Sequence, residues 1–317
     1  MIAGIVLSAG FGTRLKPVTD EVPKPAIPFL NKPMVWYALH SLKLAGIRRF
    51  AANVHHLPDI MASCLERCAE SLQIERPAIY RENDGILGTG GGARSCCMLL
   101  PDADRFVIYH GDVLCGVDLD AAIQSHIQSG CGITLVVAPR PQNSKLGMVG
   151  VDDNGDIMRI RDWYRLGCDE NTKFHPCCFT GIHIVERHVL EQLPADVPVC
   201  LVTEIYPELL GRGGRIHAFR MQDFFADVGT PATYLEAQQQ VLDNPSLLPG
   251  AEIQMPDFDD SVRVNPPVSI SGDVAVCDCT IGPNVCLCSG AQVLPGEKLQ
   301  NEMRFGHHRV YIVTIQP

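Results

Sequence analysis

The sequence predicts an α/β fold, in which a mainly parallel sheet carries helices on both faces, followed by a short left-handed β-helix-like tail. Two observations support this prediction. Apolar runs alternate with segments of helical periodicity from residue 1 to about residue 138, which is typical of parallel strands joined by crossover helices. Beyond residue 248, apolar residues recur every six positions, which is the repeat of a parallel β-helix.

The first half of the chain supplies the alternating elements. Residues 1–7 are an apolar run that leads into a glycine-rich turn, as expected for a fully buried first strand. The next expected strands cover residues 49–54, 79–80, 106–109 and 132–138. The expected helices cover residues 33–45, 60–72, 93–100 and 119–128. An open sheet of this kind binds ligands beyond the carboxyl ends of its strands.

After Pro139 the chain changes to shorter elements. Two strands are expected within residues 148–160, around the turn DNGD, which carries an Asn-Gly hairpin signal. Residues 161–177 are polar and irregular. Later strands are expected at residues 179–185 and 216–220, and helices at residues 206–210 and 230–241. We expect residues 243–249 to form a linker. The chain would then consist of one domain over residues 1–242 and a tail over residues 248–317.

The tail shows its six-residue period in two short series. Ile270 and Val276 form one, and Ile281, Leu287 and Val293 form the other. A β-hairpin with chance spacing is the alternative. Two coils are too few to bury a core alone, so we expect the tail to pack on the first domain or on another chain. A homodimer formed through the tail is the expected assembly.

Composition excludes several classes of protein. Of 317 residues, 46% are hydrophobic and 20% charged, which excludes extensive disorder. A net charge of −10 argues against nucleic acid and anionic membranes as partners, and no segment reaches the ~18 apolar residues of a membrane helix.

The 14 cysteines include adjacent pairs that suit disulfides poorly, so we expect reduced thiols and a cytoplasmic location. The pairs His55-His56 and His307-His308 lack cysteines or carboxylates at ligand spacing, and no zinc site is predicted from them.

A glycine-rich turn directly after the first strand is the first candidate for chemistry. The segment LSAGFGTRL covers residues 7–15, and such a turn brings backbone N–H groups close to phosphate. An ordinary tight turn is the alternative. The dinucleotide pattern G-x-G-x-x-G is absent, because Leu15 replaces the third glycine, and no Walker A lysine follows.

Lys24 lies between Pro23 and Pro25, nine residues beyond the end of this turn. The two prolines predict a stiff, extended segment, which suits a lysine that must meet a phosphate at a fixed point. A solvated surface lysine is the alternative.

Two aspartates are candidate ligands of one Mg²⁺ ion. Asp112 ends an apolar strand, and Asp227 precedes a Gly-Thr-Pro turn into a helix. Two carboxylates from separate strands can hold Mg²⁺, with phosphate oxygens and water completing the octahedron. Taken alone, Asp112 would be a turn former and Asp227 a helix N-cap. Together with the glycine-rich turn and Lys24, they favour the metal site.

The combination GxGTRL and, about ten residues later, PKP resembles the nucleotidyltransferases that activate sugar 1-phosphates. Further motifs of that family follow in the expected order, namely LGTGGG at 87–92, YHGD at 109–112, FTGI at 179–182 and FADVGTP at 225–231. The resemblance covers residues 1 to about 242. It implies a Rossmann-like nucleotidyltransferase sheet and an enzyme that transfers a nucleoside monophosphate from a nucleoside triphosphate to a sugar 1-phosphate, releasing pyrophosphate.

The resemblance also implies residue roles. Catalysis would rest on Arg14, which holds the β- and γ-phosphates, and on Lys24, which neutralises the α-phosphate and the incoming phosphate. The nucleotide would be bound by Leu7, Ala9, Gly10, Gly12, Thr13, Leu87, Gly88 and Thr89. The sugar phosphate would be bound by Gly181, Glu204 and Arg161.

One departure from the family bears on the substrate. Many relatives carry E-K-P after the central hairpin, whereas this chain reads RIRDW at 159–163. Arg161 is the nearest substitute for the missing lysine, although the two side chains are not interchangeable at a phosphate site. GTP and mannose 1-phosphate are the first expectation. A uridylyltransferase of the N-acetylmuramate- or glucose-1-phosphate type, a phosphocholine-type cytidylyltransferase and a non-catalytic nucleotide-sugar-binding relative are the alternatives.

Overall fold

The computed structural model describes residues 1–140 and 147–311. The strands that precede the tail are β1 (Ile2–Leu7), β2 (Pro28–Phe29), β3 (Lys32–Pro33), β4 (Phe50–Val54), β5 (Ala78–Arg81), β6 (Arg105–His110), β7 (Val113–Cys115), β8 (Ile133–Pro139), β9 (Met148–Val151), β10 (Ile157–Ile160), β11 (Trp163–Tyr164), β12 (His175–Glu186), β13 (His217–Arg220) and β14 (Phe225–Asp227). The helices are α1 (Val18–Glu21), α2 (Met34–Leu44), α3 (Pro58–Leu72), α4 (Gly88–Met98), α5 (Leu119–Ser129), α6 (Arg187–Glu191), α7 (Tyr206–Gly211) and α8 (Pro231–Asp243). The tail strands are β15 (Arg263–Val264), β16 (Val268–Ile270), β17 (Thr280–Ile281), β18 (Val285–Leu287), β19 (Lys298–Leu299), β20 (Glu302–Phe305) and β21 (His308–Tyr311).

The central sheet confirms the predicted α/β fold. Strands β6, β1, β4 and β5 are neighbours in that order and run parallel. Neighbouring side chains of β1 point to opposite faces, so Val6 packs with residues of α2 and α3, whereas Ile5 packs with residues of α4. Both faces of the sheet are therefore covered by helices, which explains why the strand sequences are apolar throughout.

One strand enters the sheet in a direction that the sequence does not predict. β12 lies antiparallel between β6 and β8, and it begins at His175, inside the stretch expected to be irregular. Its central side chains are buried on both faces, so its composition identifies a strand but carries no information on direction. The short strand β11 also falls inside that stretch.

The tail repeats in coils of 17 or 18 residues, which equal about three six-residue segments. Val268 on β16 aligns with Val285 on β18, and Val285 aligns with Glu302 on β20, all in parallel pairs. A second face consists of β15, β17 and β19, again parallel. These parallel coils favour the β-helix-like tail over the simple hairpin.

The tail packs on the helix that precedes it. Met303 and Val310 of the tail join Leu235 and Val241 of α8 in one apolar cluster. Buried Gln238 on α8 donates to Asn284 Oδ1 at 2.9 Å. The segment expected as a linker is correspondingly short and ordered, with a 3₁₀ turn at Pro245–Leu247.

Among the described residues, none of the helices has the length and apolar content that a bilayer crossing requires.

Replacing Met303 with alanine tests whether the tail and α8 share one core. Met303 is fully buried, so we expect Met303→Ala to lower the free energy of unfolding by about 2–5 kcal/mol. Urea denaturation measures the change, with Leu294→Ala as the control, because Leu294 is 67% exposed. Equal stability of the two variants would contradict the shared core.

Candidate active site

A cavity of about 460 Å³ opens at the carboxyl edge of the parallel strands. The edge is set by register, since Leu7 of β1 is paired with Asn53 of β4 on one side and with His110 of β6 on the other. The lining residues are Leu7, Ser8, Ala9, Gly10, Phe11, Gly12, Thr13, Arg14, Lys24, Pro25, Asn53, Glu82, Ile86, Gly88, Thr89, His110, Asp112 and Gly229. The cavity therefore brings together most of the nucleotide-binding residues expected from the sequence, with both expected catalytic residues.

The first glycine-rich turn forms one wall of this cavity. Gly12 has a φ of +62°, and a Cβ atom there would lie 2.8 Å from Lys24 Cβ, so glycine is required for both conformation and space. Thr19 on α1 holds the turn by donating to the Gly12 carbonyl at 3.1 Å. Gly10 has no heavy atom within 4 Å of a would-be Cβ, which leaves its backbone open to a ligand.

Lys24 is the central charge of the site. Its side chain is only 7% exposed, and its Nζ lies 2.5 Å from Asp112 Oδ2 and 4.0 Å from Asp227 Oδ1. The flanking prolines were expected to keep this segment extended. Pro23 is extended, but residues Lys24–Ala26 form a 3₁₀ turn, because the Ala26 and Ile27 amides donate to the Pro23 and Lys24 carbonyls.

Strand pairing brings the two aspartates together. Asp112 lies in the turn between β6 and β7, and Asp227 ends β14, which pairs antiparallel with β7 so that Asp227 stands opposite Val113. Burial would raise the pKa of Asp112, but the charge of Lys24 and the hydrogen bond that Lys24 donates outweigh burial and hold that pKa below its usual value. Asp112 is therefore a carboxylate at neutral pH.

Arg14 lies next to the loop that follows Asp227. Its guanidinium group packs on Gly229, where a Cβ atom would lie 2.6 Å from one guanidinium nitrogen. The first turn and the D-x-G-T-P loop, 215 residues apart, thus meet at one point of the cavity.

The second glycine-rich segment is not a loop. Helix α4 begins at Gly88, so its glycines form the first turns of a helix. Gly92 must lack a side chain, because a Cβ atom would lie 2.4 Å from Asn53 Nδ2. Thr89 faces the cavity and its Oγ1 accepts a hydrogen bond from the Leu201 amide at 2.9 Å.

A buried polar network, missed by the sequence analysis, joins the two glycine-rich segments. Asn53 Oδ1 accepts from the Ser8 amide at 2.9 Å, and Asn53 Nδ2 donates to Glu82 Oε1 at 2.7 Å. Glu82 Oε2 accepts from the Leu87 amide at 2.8 Å. Asn53 is the second-last residue of β4, and Glu82 directly follows β5, so both lie near strand ends, as Asp112 does.

The residues expected to bind the sugar phosphate lie outside the set that lines the cavity. Gly181 is adjacent to it, since a Cβ atom there would lie 3.2 Å from the His110 ring. Glu204 accepts from the Cys200 amide at 2.8 Å, one residue before the Leu201 amide that Thr89 holds. Arg161 is exposed, has a φ of +53° and packs on Gly147.

His110 is a further site residue that the sequence analysis missed. Burial lowers its pKa, so the ring is neutral at pH 7. Within the described part of the chain, nothing hydrogen-bonds to its buried Nε2 atom. The only sequence signal was its position directly before the Gly-Asp motif.

The family profile described as "Nucleotidyl transferase" matches residues 3–244. The chain belongs to the nucleotidyl transferase family. The resemblance inferred from the motifs is thereby confirmed.

Relatives of this nucleotidyl transferase include a UTP–glucose-1-phosphate uridylyltransferase of Synechocystis, 28% identical over 96% of this chain and 88% of that protein. A mannose-1-phosphate guanylyltransferase of Mycobacterium tuberculosis is 27% identical over 98% of this chain and 81% of that protein. A mannose-1-phosphate guanyltransferase of Emericella nidulans is 28% identical over 73% of this chain, which spans 62% of that protein.

The fold is shared with HddC from Yersinia pseudotuberculosis. The superposition has a TM-score of 0.61 and covers 75% of this chain and 98% of that one, at 21% identity. A complex of the same protein with GMP-PN gives a TM-score of 0.60. This similarity confirms the α/β architecture.

Removing Glu82 tests the network between the two glycine-rich segments. In Glu82→Ala, the Leu87 amide and the Asn53 side chain lose their acceptor, so we expect a loss of about 1–3 kcal/mol in stability and weaker binding of nucleoside triphosphates. Thermal unfolding and calorimetric titration measure the two effects, with exposed Glu66→Ala as the control. Unchanged nucleotide affinity in Glu82→Ala would show that the network does not shape the cavity.

Proposed function

We propose that the protein transfers a nucleoside monophosphate from a nucleoside triphosphate to a sugar 1-phosphate and releases pyrophosphate. The observation that carries this proposal is the position of Lys24, buried in the cavity wall between Asp112 and Asp227. A cation held at one point beside a glycine-rich turn suits a polyphosphate better than a neutral ligand.

The reaction needs positioning and charge more than a strong base. A sugar-1-phosphate oxygen is ionised at neutral pH and attacks the α-phosphorus, and pyrophosphate leaves from the opposite side. Lys24 is the proposed partner of the α-phosphate and of the incoming phosphate, and Arg14 of the β- and γ-phosphates. Both would stabilise charge that increases in the transition state.

The donor set at Asp112 and Asp227 fits Mg²⁺. The ligands available are carboxylate oxygens, which Mg²⁺ prefers, and two protein ligands are the usual number when a substrate supplies phosphate oxygens. We propose that these aspartates hold the ion, which when bound neutralises charge on the triphosphate. In the structure, Lys24 balances the negative charge of both carboxylates. With the ion bound, Lys24 would be available to bind the phosphates.

Mannose 1-phosphate with GTP is the substrate pair that we propose first. It is supported by the mannose-1-phosphate guanylyltransferases among the relatives. Uridylyl transfer is the second candidate, supported by the uridylyltransferase of Synechocystis, which aligns over nearly the whole of this chain. A non-catalytic role is disfavoured, because Arg14, Lys24 and Asp112 all line one cavity, and Asp227 lies next to Lys24.

A screen for released pyrophosphate tests the proposed reaction. Five nucleoside triphosphates are incubated with a panel of sugar 1-phosphates that includes those of mannose, glucose and N-acetylmuramate. We expect release only with a sugar 1-phosphate present, and fastest with GTP and mannose 1-phosphate. Release with UTP and a sugar 1-phosphate, but with no other triphosphate, would favour the second candidate. No release with any pair would overturn the proposal.

The tail is proposed to serve assembly and not the chemistry. Its contacts with α8 support a role in holding the first domain. Light scattering of the full chain tests the expected homodimer, and a monomer at all concentrations would contradict it.

Replacing Lys24 with alanine should lower turnover by at least ~10²-fold, or about 2.7 kcal/mol of transition-state stabilisation. Steady-state kinetics on the best substrate pair measures the loss. Lys298→Ala is the control, because Lys298 is an exposed lysine of the tail. Near-normal turnover of Lys24→Ala would remove its proposed role.

Asp112→Asn and Asp227→Asn should each raise the Mg²⁺ concentration needed for half-maximal activity. An amide is a weaker ligand than a carboxylate and carries no charge. Activity is measured across a Mg²⁺ titration, with exposed Asp260→Asn as the control. Full wild-type activity in excess chelator would contradict the metal requirement itself.

Arg161→Ala should raise the KM for the sugar 1-phosphate more than the KM for the triphosphate, if Arg161 replaces the missing lysine. Arg212→Ala is the matched control, because that arginine is exposed and pairs only locally with Glu208. Equal changes in both KM values would show that another residue binds the sugar phosphate.

A further inference from the structure

A second cluster of ligating side chains lies where the tail hairpin meets α1. Glu21 ends α1, and His307 and His308 lie at the turn between β20 and β21. Glu21 Oε2 is 3.1 Å from His307 Nε2 and 3.9 Å from His308 Nε2. One ligand atom of each residue lies within 4.8 Å of the other two.

The spacing of these atoms is close to that of a tetrahedral metal site. Zinc binds imidazole nitrogen and carboxylate oxygen at 2.0–2.2 Å, which puts neighbouring ligand atoms about 3.3 Å apart. The separations of 3.1 and 3.9 Å bracket this value. Glu21 and His307 are 63% and 70% exposed, so rotation of their side chains can close the remaining difference.

The His308 ring is held in place by its surroundings. His308 is only 13% exposed, and its ring packs 4.8 Å from that of Phe305.

A single ion pair accounts for only one of the two histidines. Exposed pairs of this kind contribute little to stability, and one histidine would be enough to form one. Here two imidazole rings, with centroids 4.0 Å apart, direct their Nε2 atoms to the same carboxylate oxygen. Such convergence is expected when a cation lies between the groups.

We propose that Glu21, His307 and His308 bind one divalent transition-metal ion and thereby tie the tail to α1. Two nitrogens and one oxygen suit Zn²⁺, whereas Mg²⁺ and Ca²⁺ prefer oxygen ligands alone. Water would complete the coordination. The ion would also stiffen the first glycine-rich turn, because Thr19 of α1 holds the Gly12 carbonyl.

Zinc titration of the metal-free protein tests this proposal. The full chain is stripped with a chelator and titrated with Zn²⁺ against a chromophoric competitor, with excess Mg²⁺ to occupy oxygen-only sites. We expect one zinc equivalent whose dissociation constant rises at least about tenfold in Glu21→Gln and in His307→Asn. His175→Asn is the matched control, because His175 is also exposed and pairs with one carboxylate, that of Asp153.

Two further measurements distinguish zinc binding at this site from zinc binding by the cysteines. Zinc should raise the melting temperature of the wild type and of His175→Asn clearly more than that of Glu21→Gln. Cobalt should give the visible bands of a nitrogen and oxygen site without a thiolate charge-transfer band. The proposal is overturned if the Glu21 and His307 variants bind zinc as tightly as the control, or if the cobalt spectrum shows thiolate ligation.

Discussion

The buried ammonium group of Lys24 between two carboxylates is the interaction on which the rest of the site depends. A charged side chain that is only 7% exposed destabilises the fold unless it is paired. The chain must therefore bring Asp112 and Asp227 to Lys24 from distant parts of the sequence. The β6–β7 turn supplies Asp112, and the pairing of β14 with β7 supplies Asp227. The absence of a side chain at Gly12 allows the glycine-rich turn to lie directly against Lys24.

The tail contacts the segments that position Lys24 and Asp227. Three residues after Asp227, Thr230 caps α8 through reciprocal hydrogen bonds with Thr233, so the position of α8 bears on that of Asp227. Gln238 then anchors α8 to Asn284 of the tail. On the other side, the tail hairpin contacts Glu21 of α1. The tail thus contacts both segments that hold the Lys24 pocket, without contributing a residue to the cavity lining.

Local patterns predicted much of this arrangement. The buried strands, the cavity edge and the candidate Asp112 follow from apolar runs and from the polar residues at strand ends, and the candidate Lys24 follows from its flanking prolines. The direction of β12 could not be predicted, because a strand buried on both faces has no polarity in its pattern. Asn53 and Glu82 could have been found from the sequence, since each lies within one residue of a strand end. The contact of Glu21 with His307 spans 286 residues, and only the packing of the tail creates it.

A double-mutant cycle in the transfer reaction tests most directly whether Lys24 and Asp112 act as one unit. Turnover is measured as transfer of label from the α-phosphate of the triphosphate to the sugar nucleotide, in the wild type, Lys24→Ala, Asp112→Asn and the double variant. If the pair works as a unit, the double variant loses about as much activity as the worse single variant. Losses that simply multiply would show that the two residues act independently and would contradict the account.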